Sequence, residues 1–278
     1  MINKNWRYIK NAMQIIISPA KKMNTDTDIF HYKQLPALLG EAEELLCWMR
    51  TLSFEELKAL WGCNEKIAEL NYRRVREMDL RGGLTPALIS YEGIQYQHMA
   101  PKVFTRREWD YAEEHLWILS GFYGALRPLD GVSPYRLEMQ AKAKAGGAKD
   151  LYDYWGGRLY EKVKEGDGVL VNLASKEYSK CIERYLKPED RFLTCVFGEW
   201  KDGKVIQKGT QAKMARGEMV RFMAENGVVS PEEIKKFSRL GYCFSERMSS
   251  EWEYVFVRNP LPASLNTTEN TSREVWNL

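Results

Sequence analysis

An unbroken apolar run, Leu116-Trp117-Ile118-Leu119, opens directly into an irregular stretch, LSGFYGALRPLDGVSPYRLEM (residues 119–139). That junction limits the fold more than any other part of the chain. The stretch packs three glycines, two prolines, two arginines, two tyrosines, one aspartate and one glutamate into twenty-one residues. Neither helical nor strand periodicity persists through it. It reads as a buried strand ending in a long ordered loop, with glycines permitting unusual dihedrals and prolines stiffening the path. Loops of this kind on a rigid scaffold often carry function. The residues leave two readings open. Arg127, Asp130, Tyr135, Arg136 and Glu138 form a working site, or the loop is structural and its arginines pair with Asp130 and Glu138.

Two other segments repeat the pattern of a strand running into a polar loop. Residues 14–18, QIIIS, lead into Pro19-Ala20-Lys21-Lys22, and residues 168–173, GVLVNL, lead into Ala174-Ser175. Lys21, Asn172 and Ser175 therefore sit near the carboxyl ends of strands, a common ligand position in α/β sheets. Ser175 is placed to cap a helix over residues 176–182. Between the strands run helical signals. Residues 36–49 are amphipathic, and Ser53–Glu56 and Thr105–Glu108 are capping boxes. Asp150 caps a helix through Val163, and residues 210–226 form a long helix closed by Gly227. Ser230-Pro231 starts another, short helix. Further strands are expected at 87–91, 191–200, 204–207, 242–245 and 254–258, with Asp202-Gly203 as a hairpin turn. No repeat or composition break divides the chain. The expectation is one α+β domain over residues 13–258, a mixed β-sheet core enclosed by helices. Residues 1–12 read as an extension ahead of Met13, and residues 259–278 as a loose tail.

The net charge is only +3, from 41 basic and 38 acidic residues, so an anionic partner must be met by a local patch and not by the whole surface. Five cysteines without CxxC spacing and three histidines without an HxxxH relation argue against a metal site. They fit reduced thiols in the cytoplasm. No apolar run approaches the length of a membrane helix. No cofactor is expected, and the chain is expected to be a monomer.

Residues 57–68, LKALWGCNEKIA, match the helix-hairpin-helix pattern LxxLxGhGxxxA, with Asn64 at the second glycine position. Gly62 and Asn64 are residue types that tolerate left-handed backbone. Such a hairpin presents helix N-terminal amides to a phosphate. Lys66, Arg73 and Arg74 on the following helix suit backbone contact without sequence readout. Lys213 and Arg216 share one face of the 210–226 helix. An ordinary helical hairpin with a solvated basic face remains the alternative.

Taken together, residues 15–21 (IIISPAK), 119–139, 149–156 (KDLYDYWG), 170–180 (LVNLASKEYSK), 212–226 (AKMARGEMVRFMAEN) and 241–258 (GYCFSERMSSEWEYVFVR) resemble the YaaA family of peroxide-stress proteins, also called UPF0246 or DUF328. The resemblance implies a cytosolic protein that protects cells from hydrogen peroxide by limiting free iron, and so damage to DNA. It also implies a sheet core in a helical shell (the "cantaloupe" fold), a positively charged cleft, a helix-hairpin-helix and binding of duplex DNA. The sequence departs from the family pattern at Asn64 and at Thr210-Gln211, where an aromatic is expected. No catalytic residue transfers.

Two functions follow as expectations. In the first, DNA is held mainly by its backbone, through Gly62, Asn64, Lys66, Arg73, Arg74, Arg127, Arg136, Lys213 and Arg216. In the second, an enzyme acts on a nucleic-acid or phosphorylated substrate, with Lys21, Asp130, Tyr135, Glu138, Asn172 and Ser175 as candidate catalytic groups. The second requires these polar groups to converge in one cleft. A glycosylase is disfavoured, because no aspartate follows Gly82-Gly83-Leu84-Thr85-Pro86.

Overall fold

The three apolar runs lie side by side. Strands β1 (Gln14–Ile17), β5 (Leu116–Ser120) and β8 (Leu170–Leu173) are buried along their whole length. β1 pairs in parallel with both of the others. Parallel strands covered on both faces need continuous apolar sequence, which accounts for the absence of alternation in these runs. The structure is a computed structural model describing residues 13–164, 168–201 and 204–258. The expected extension, the tail and the Asp202-Gly203 turn lie outside the described residues.

The remaining strands are β2 (Lys22–Met23), β3 (Thr85–Pro86), β4 (Tyr91–Glu92), β6 (Gly124–Leu126), β7 (Gly131–Val132), β9 (Phe192–Lys201), β10 (Lys204–Ile206), β11 (Tyr242–Phe244) and β12 (Glu253–Arg258). The main sheet runs β11-β12-β9-β8-β1-β5-β6, with β10 paired to β9. β12, β9, β8, β1 and β5 are mutually parallel, while β6, β10 and β11 are antiparallel additions. The helices are α1 (Leu39–Thr51), α2 (Phe54–Trp61), α3 (Glu65–Glu77), α4 (Ala87–Ser90), α5 (Ile94–Met99), α6 (Arg106–His115), α7 (Leu151–Trp155), α8 (Arg158–Val163), α9 (Lys176–Glu183), α10 (Gly209–Asn226) and α11 (Pro231–Ile234). The architecture is thus mixed α+β around a mainly parallel sheet. One hydrophobic cluster runs from Met13 to Phe256.

Local capping signals hold. Ser53, Thr105 and Ser230 each form a complete capping box, and Gly227 closes α10 in the left-handed conformation at φ 60°. Two expectations fail. Residues 87–90 form a single helical turn, not a strand, because Ala87 N and Leu88 N donate to the carbonyls of Asp130 and Pro128 and not to a sheet neighbour. The helix expected from Asp150 through Val163 breaks at Gly156, whose φ 52° and ψ −138° suit only glycine, so α7 and α8 are separate.

Candidate anion-binding site

The chain leaves β1 towards β5 on one side and leaves β8 towards β9 on the other. The carboxyl ends of β1 and β8 therefore flank a crevice, the place where open α/β sheets bind ligands. Ser18 and Ser175 close its floor. Ser175 N donates to Ser18 Oγ at 2.8 Å, and the two hydroxyls lie 3.1 Å apart. Ser175 is the N-cap of α9, yet its side chain makes this bridge and caps no amide of its own helix.

Above the floor is a pocket of about 380 Å³. The loop after β1 contributes Lys21, and the segment after β7 contributes Tyr135, Arg136 and Glu138. Ser175 and Glu177 come from α9 and its cap, Gln95 from α5, and Lys213 and Arg216 from α10. Glu138 is caught between two cations: Lys21 Nζ lies 2.6 Å from its Oε2, and Arg136 Nη2 lies 2.9 Å from its Oε1. Gly121 makes this possible. A Cβ there would stand 2.5 Å from the Leu137 carbonyl, so only glycine lets residues 137–139 pass across the end of β5. Gly217 acts likewise between α10 and α5, where a Cβ would stand 2.1 Å from the Gln95 carbonyl.

Five cations, Lys21, Lys22, Arg136, Lys213 and Arg216, line the pocket against the three carboxylates Glu92, Glu138 and Glu177. Among the described residues, Lys213 and Arg216 have no ion-pair partner. Arg136 Nε, Arg216 Nε and Gln95 Nε2 are buried donors without an acceptor. Burial pulls the Arg216 guanidinium below its ordinary range, as expected for a cation lacking a counter-charge. Burial pushes the Glu177 carboxyl up, against a hydrogen bond from Gln140 N. Hydrogen bonds from Lys22 and Asn24 hold Glu92 low. Unmatched donors plus unpaired cations suit an oxyanion, and arginine suits phosphate by geometry.

The other residues singled out in the sequence fall into three groups. Tyr135 lines the pocket, but its hydroxyl is engaged by Ser120 at 2.7 Å and Tyr91 at 2.9 Å; burial pushes it to about 12. Arg127, Asp130 and Asn172 do not join the pocket. β6 runs antiparallel to β5 and carries the chain back to the amino end of the sheet. There Arg127 lies 3.6 Å over the Trp117 ring, and its backbone N donates to Asp130. Asp130 also accepts from Gln34 and is pushed up to about 6, chiefly by burial. Asn172 is buried, accepting from Ala174 N and donating to Thr194. The single loop of the sequence thus serves both ends of the sheet.

The hairpin forms the third group. Gly62 is left-handed at φ 53°, as its position requires. Asn64 is not: at φ −70° it is the N-cap of α3, and its side chain accepts from Ile67 N, so one amide expected for phosphate is already used. Lys66 and Arg73 are exposed. Arg74 is half-buried and donates to Asn71 Oδ1 and to the Met23 carbonyl, which ties α3 to β2, the strand whose Lys22 lines the pocket. Gln95, Glu92 and Glu177 are pocket residues that the sequence reading missed. Glu177 lay in plain view two residues beyond Ser175. Gln95 sits on a six-residue helix whose role depends wholly on contact with α10.

A mainly parallel sheet enclosed by helices, with a cation-lined pocket at its strand switch, makes this a mixed α+β protein. The chain belongs to the family described as peroxide stress protein YaaA, which matches residues 13–248. It is 55% identical over 246 residues to a UPF0246 protein of Agathobacter rectalis, covering 88% of this chain and 99% of that one. It is 52% identical over 246 residues to one from Lachnoclostridium phytofermentans, covering 88% and 96%. A third, from Ligilactobacillus salivarius, is 51% identical over 247 residues, covering 89% and 100%. No helix among the described residues is long and apolar enough to cross a membrane.

Proposed function

We propose that this peroxide stress protein binds DNA in the cytoplasm, holding phosphates at the pocket mouth and along α3, and so limits iron-dependent damage. One observation carries the reading: Arg136 and Arg216, whose Nε atoms are buried without acceptors, line one pocket with Lys21 and Lys213. The α2–α3 hairpin, read as a helix-hairpin-helix, supplies Lys66 and Arg73 as a second contact, coupled to the pocket rim through Arg74 and Met23. The link to iron is electrostatic. A protein that neutralises phosphates releases the cations condensed on them, and iron(II) held there is the species that makes hydroxyl radicals beside the bases.

Lys66, Arg73, Lys213 and Arg216 are without ion-pair partners among the described residues. Four such contacts give a slope of about −3 to −4 in log affinity against log salt for a duplex. Fluorescence anisotropy across a salt series measures it. A flat response, or no loss on Lys66→Glu with Arg73→Glu, contradicts the reading.

A second reading, an enzyme acting on the same phosphate-bearing ligand, draws on Glu177. It is a carboxyl raised by burial in the pocket wall beside Lys21, Ser175 and Glu138, as a general acid requires. Turnover of DNA or nucleotide that is lost in Glu177→Gln separates it from binding alone.

A further inference from the structure

The pocket is too small for the duplex that the reading above lays on the protein. Its volume of about 380 Å³ falls at the low end of small-ligand sites, about 300–1,000 Å³. The major groove of a duplex alone is about 12 Å wide. A duplex can cross the mouth and cannot enter, yet the walls are built for an occupant. Arg136 Nε, Arg216 Nε and Gln95 Nε2 are buried donors with no acceptor, and Gln95 is only 6% exposed. They come from three separate elements, so a single group with several acceptor oxygens is what satisfies them together. Arg136 donates Nη2 to Glu138, while its Nε has no acceptor. A phosphodiester offers two free oxygens and one charge. A phosphomonoester offers three and nearly two charges at neutral pH.

The walls also say what the phosphate is attached to. A second pocket of about 540 Å³ shares Lys22, Glu92 and Tyr96 with the first. Gly93 and Ile94 are shared as well, and Lys22, largely exposed, is ion-paired with Glu92 at 2.6 Å where the two pockets adjoin. The second pocket holds a feature of opposite polarity, the buried acceptor Asn24 Oδ1, which has no donor. Donors in one chamber and an N–H acceptor in the next match a phosphate joined to a nucleobase.

We propose that the paired pockets take one nucleotide unit bearing a terminal phosphomonoester, with the phosphate on Arg136, Arg216 and Gln95 and the base edge towards Asn24. The source is a free nucleotide or the phosphorylated end of a DNA strand. The proposal rests on the reading of this pocket as the phosphate site.

The test uses the full chain at fixed low salt and one short duplex in three forms: ends bearing 5′-phosphate, ends bearing 5′-hydroxyl, and ends closed by hairpin loops. A deoxynucleoside 5′-monophosphate and the matching nucleoside are titrated in parallel. The expected result is that phosphorylated ends bind about tenfold tighter or more than the other two, the scale of one charge-assisted contact. The monophosphate competes for that advantage, the nucleoside does not, and Arg216→Gln abolishes it. A monophosphate that binds without any preference among the three duplexes assigns the site to free nucleotides. Equal binding of all three duplexes with no binding of the monophosphate overturns the proposal and leaves the backbone reading standing. A closed duplex that fails to bind while phosphorylated ends do overturns the backbone reading and leaves this one.

Discussion

At the scale of single residues, the chain holds both cations that work inside the fold and cations without a counter-charge. Arg50 and Arg76 spend their guanidiniums on backbone carbonyls, Arg50 on Val75 and Met78, Arg76 on Leu52. Arg216 has no such use, and a desolvated cation without a counter-charge costs stability that a bound anion returns. Asp130 is the opposite case, a buried carboxyl at the far end of the sheet. Its pKa is about 6 in the folded chain against 3.8 unperturbed. The folded state therefore holds its proton more tightly. This stabilising contribution is full below pH 3.8 and is lost as pH rises through 6. The stability of the protein relative to Asp130→Asn should fall by up to about 3 kcal/mol between pH 4 and pH 7. Denaturant unfolding of both proteins at the two pH values checks this; a difference that does not change with pH contradicts the burial argument.

At the scale of elements, the pocket depends on close helix packing. α10 carries Lys213 and Arg216 and meets α5 at Gly217, where the Gln95 carbonyl leaves no room for a methyl group. Gly217→Ala should cost about 1–3 kcal/mol through overpacking and weaken DNA binding by moving α10 away from Gln95. Gly40, in α1, has nothing within 4 Å of a Cβ, and Gly40→Ala should raise stability by about 0.5–1 kcal/mol with binding unchanged. Unfolding midpoints and duplex affinities of the two variants read out the contrast. The same distinction governs what the sequence could tell. Capping boxes, the C-terminal Gly227 and the apolar strands β1, β5 and β8 depend on neighbours within a few residues, and they stand where sequence places them. The turn at 87–90 and the destination of Arg127 depend on pairing with distant segments. The run Ala-Leu-Ile-Ser cannot reveal that Asp130 and Pro128 supply its hydrogen-bond acceptors, nor can a loop reveal that β6 reverses it. Convergence of Lys21, Arg136 and Lys213 with Glu138 was legible as a set of charged groups at strand ends and on one helix face; the place of Gln95 was not.

At the scale of the whole molecule, a chain of net charge +3 places Lys213 and Arg216 in the pocket where two strand connections diverge and Lys66 and Arg73 on the exposed face of α3. Two of the three pocket carboxylates are ion-paired, Glu138 with Lys21 and Arg136 and Glu92 with Lys22, while Glu177 accepts a hydrogen bond from Gln140 N. Local complementarity to an anion can thus arise in a chain that is not strongly basic. The central claim is that the buried Nε–H groups of Arg136 and Arg216 are the anion donors. Nitrogen-15 NMR of the arginine Nε–H groups tests it most directly, with resonances assigned by Arg136→Lys and Arg216→Lys and a short duplex titrated at low and high salt. The account predicts that both Nε–H signals move downfield as DNA is added, in step with binding, and that high salt reverses the movement. Signals of Arg136 and Arg216 that stay fixed while DNA binds, with changes confined to Arg73 and its neighbours on α3, would contradict it.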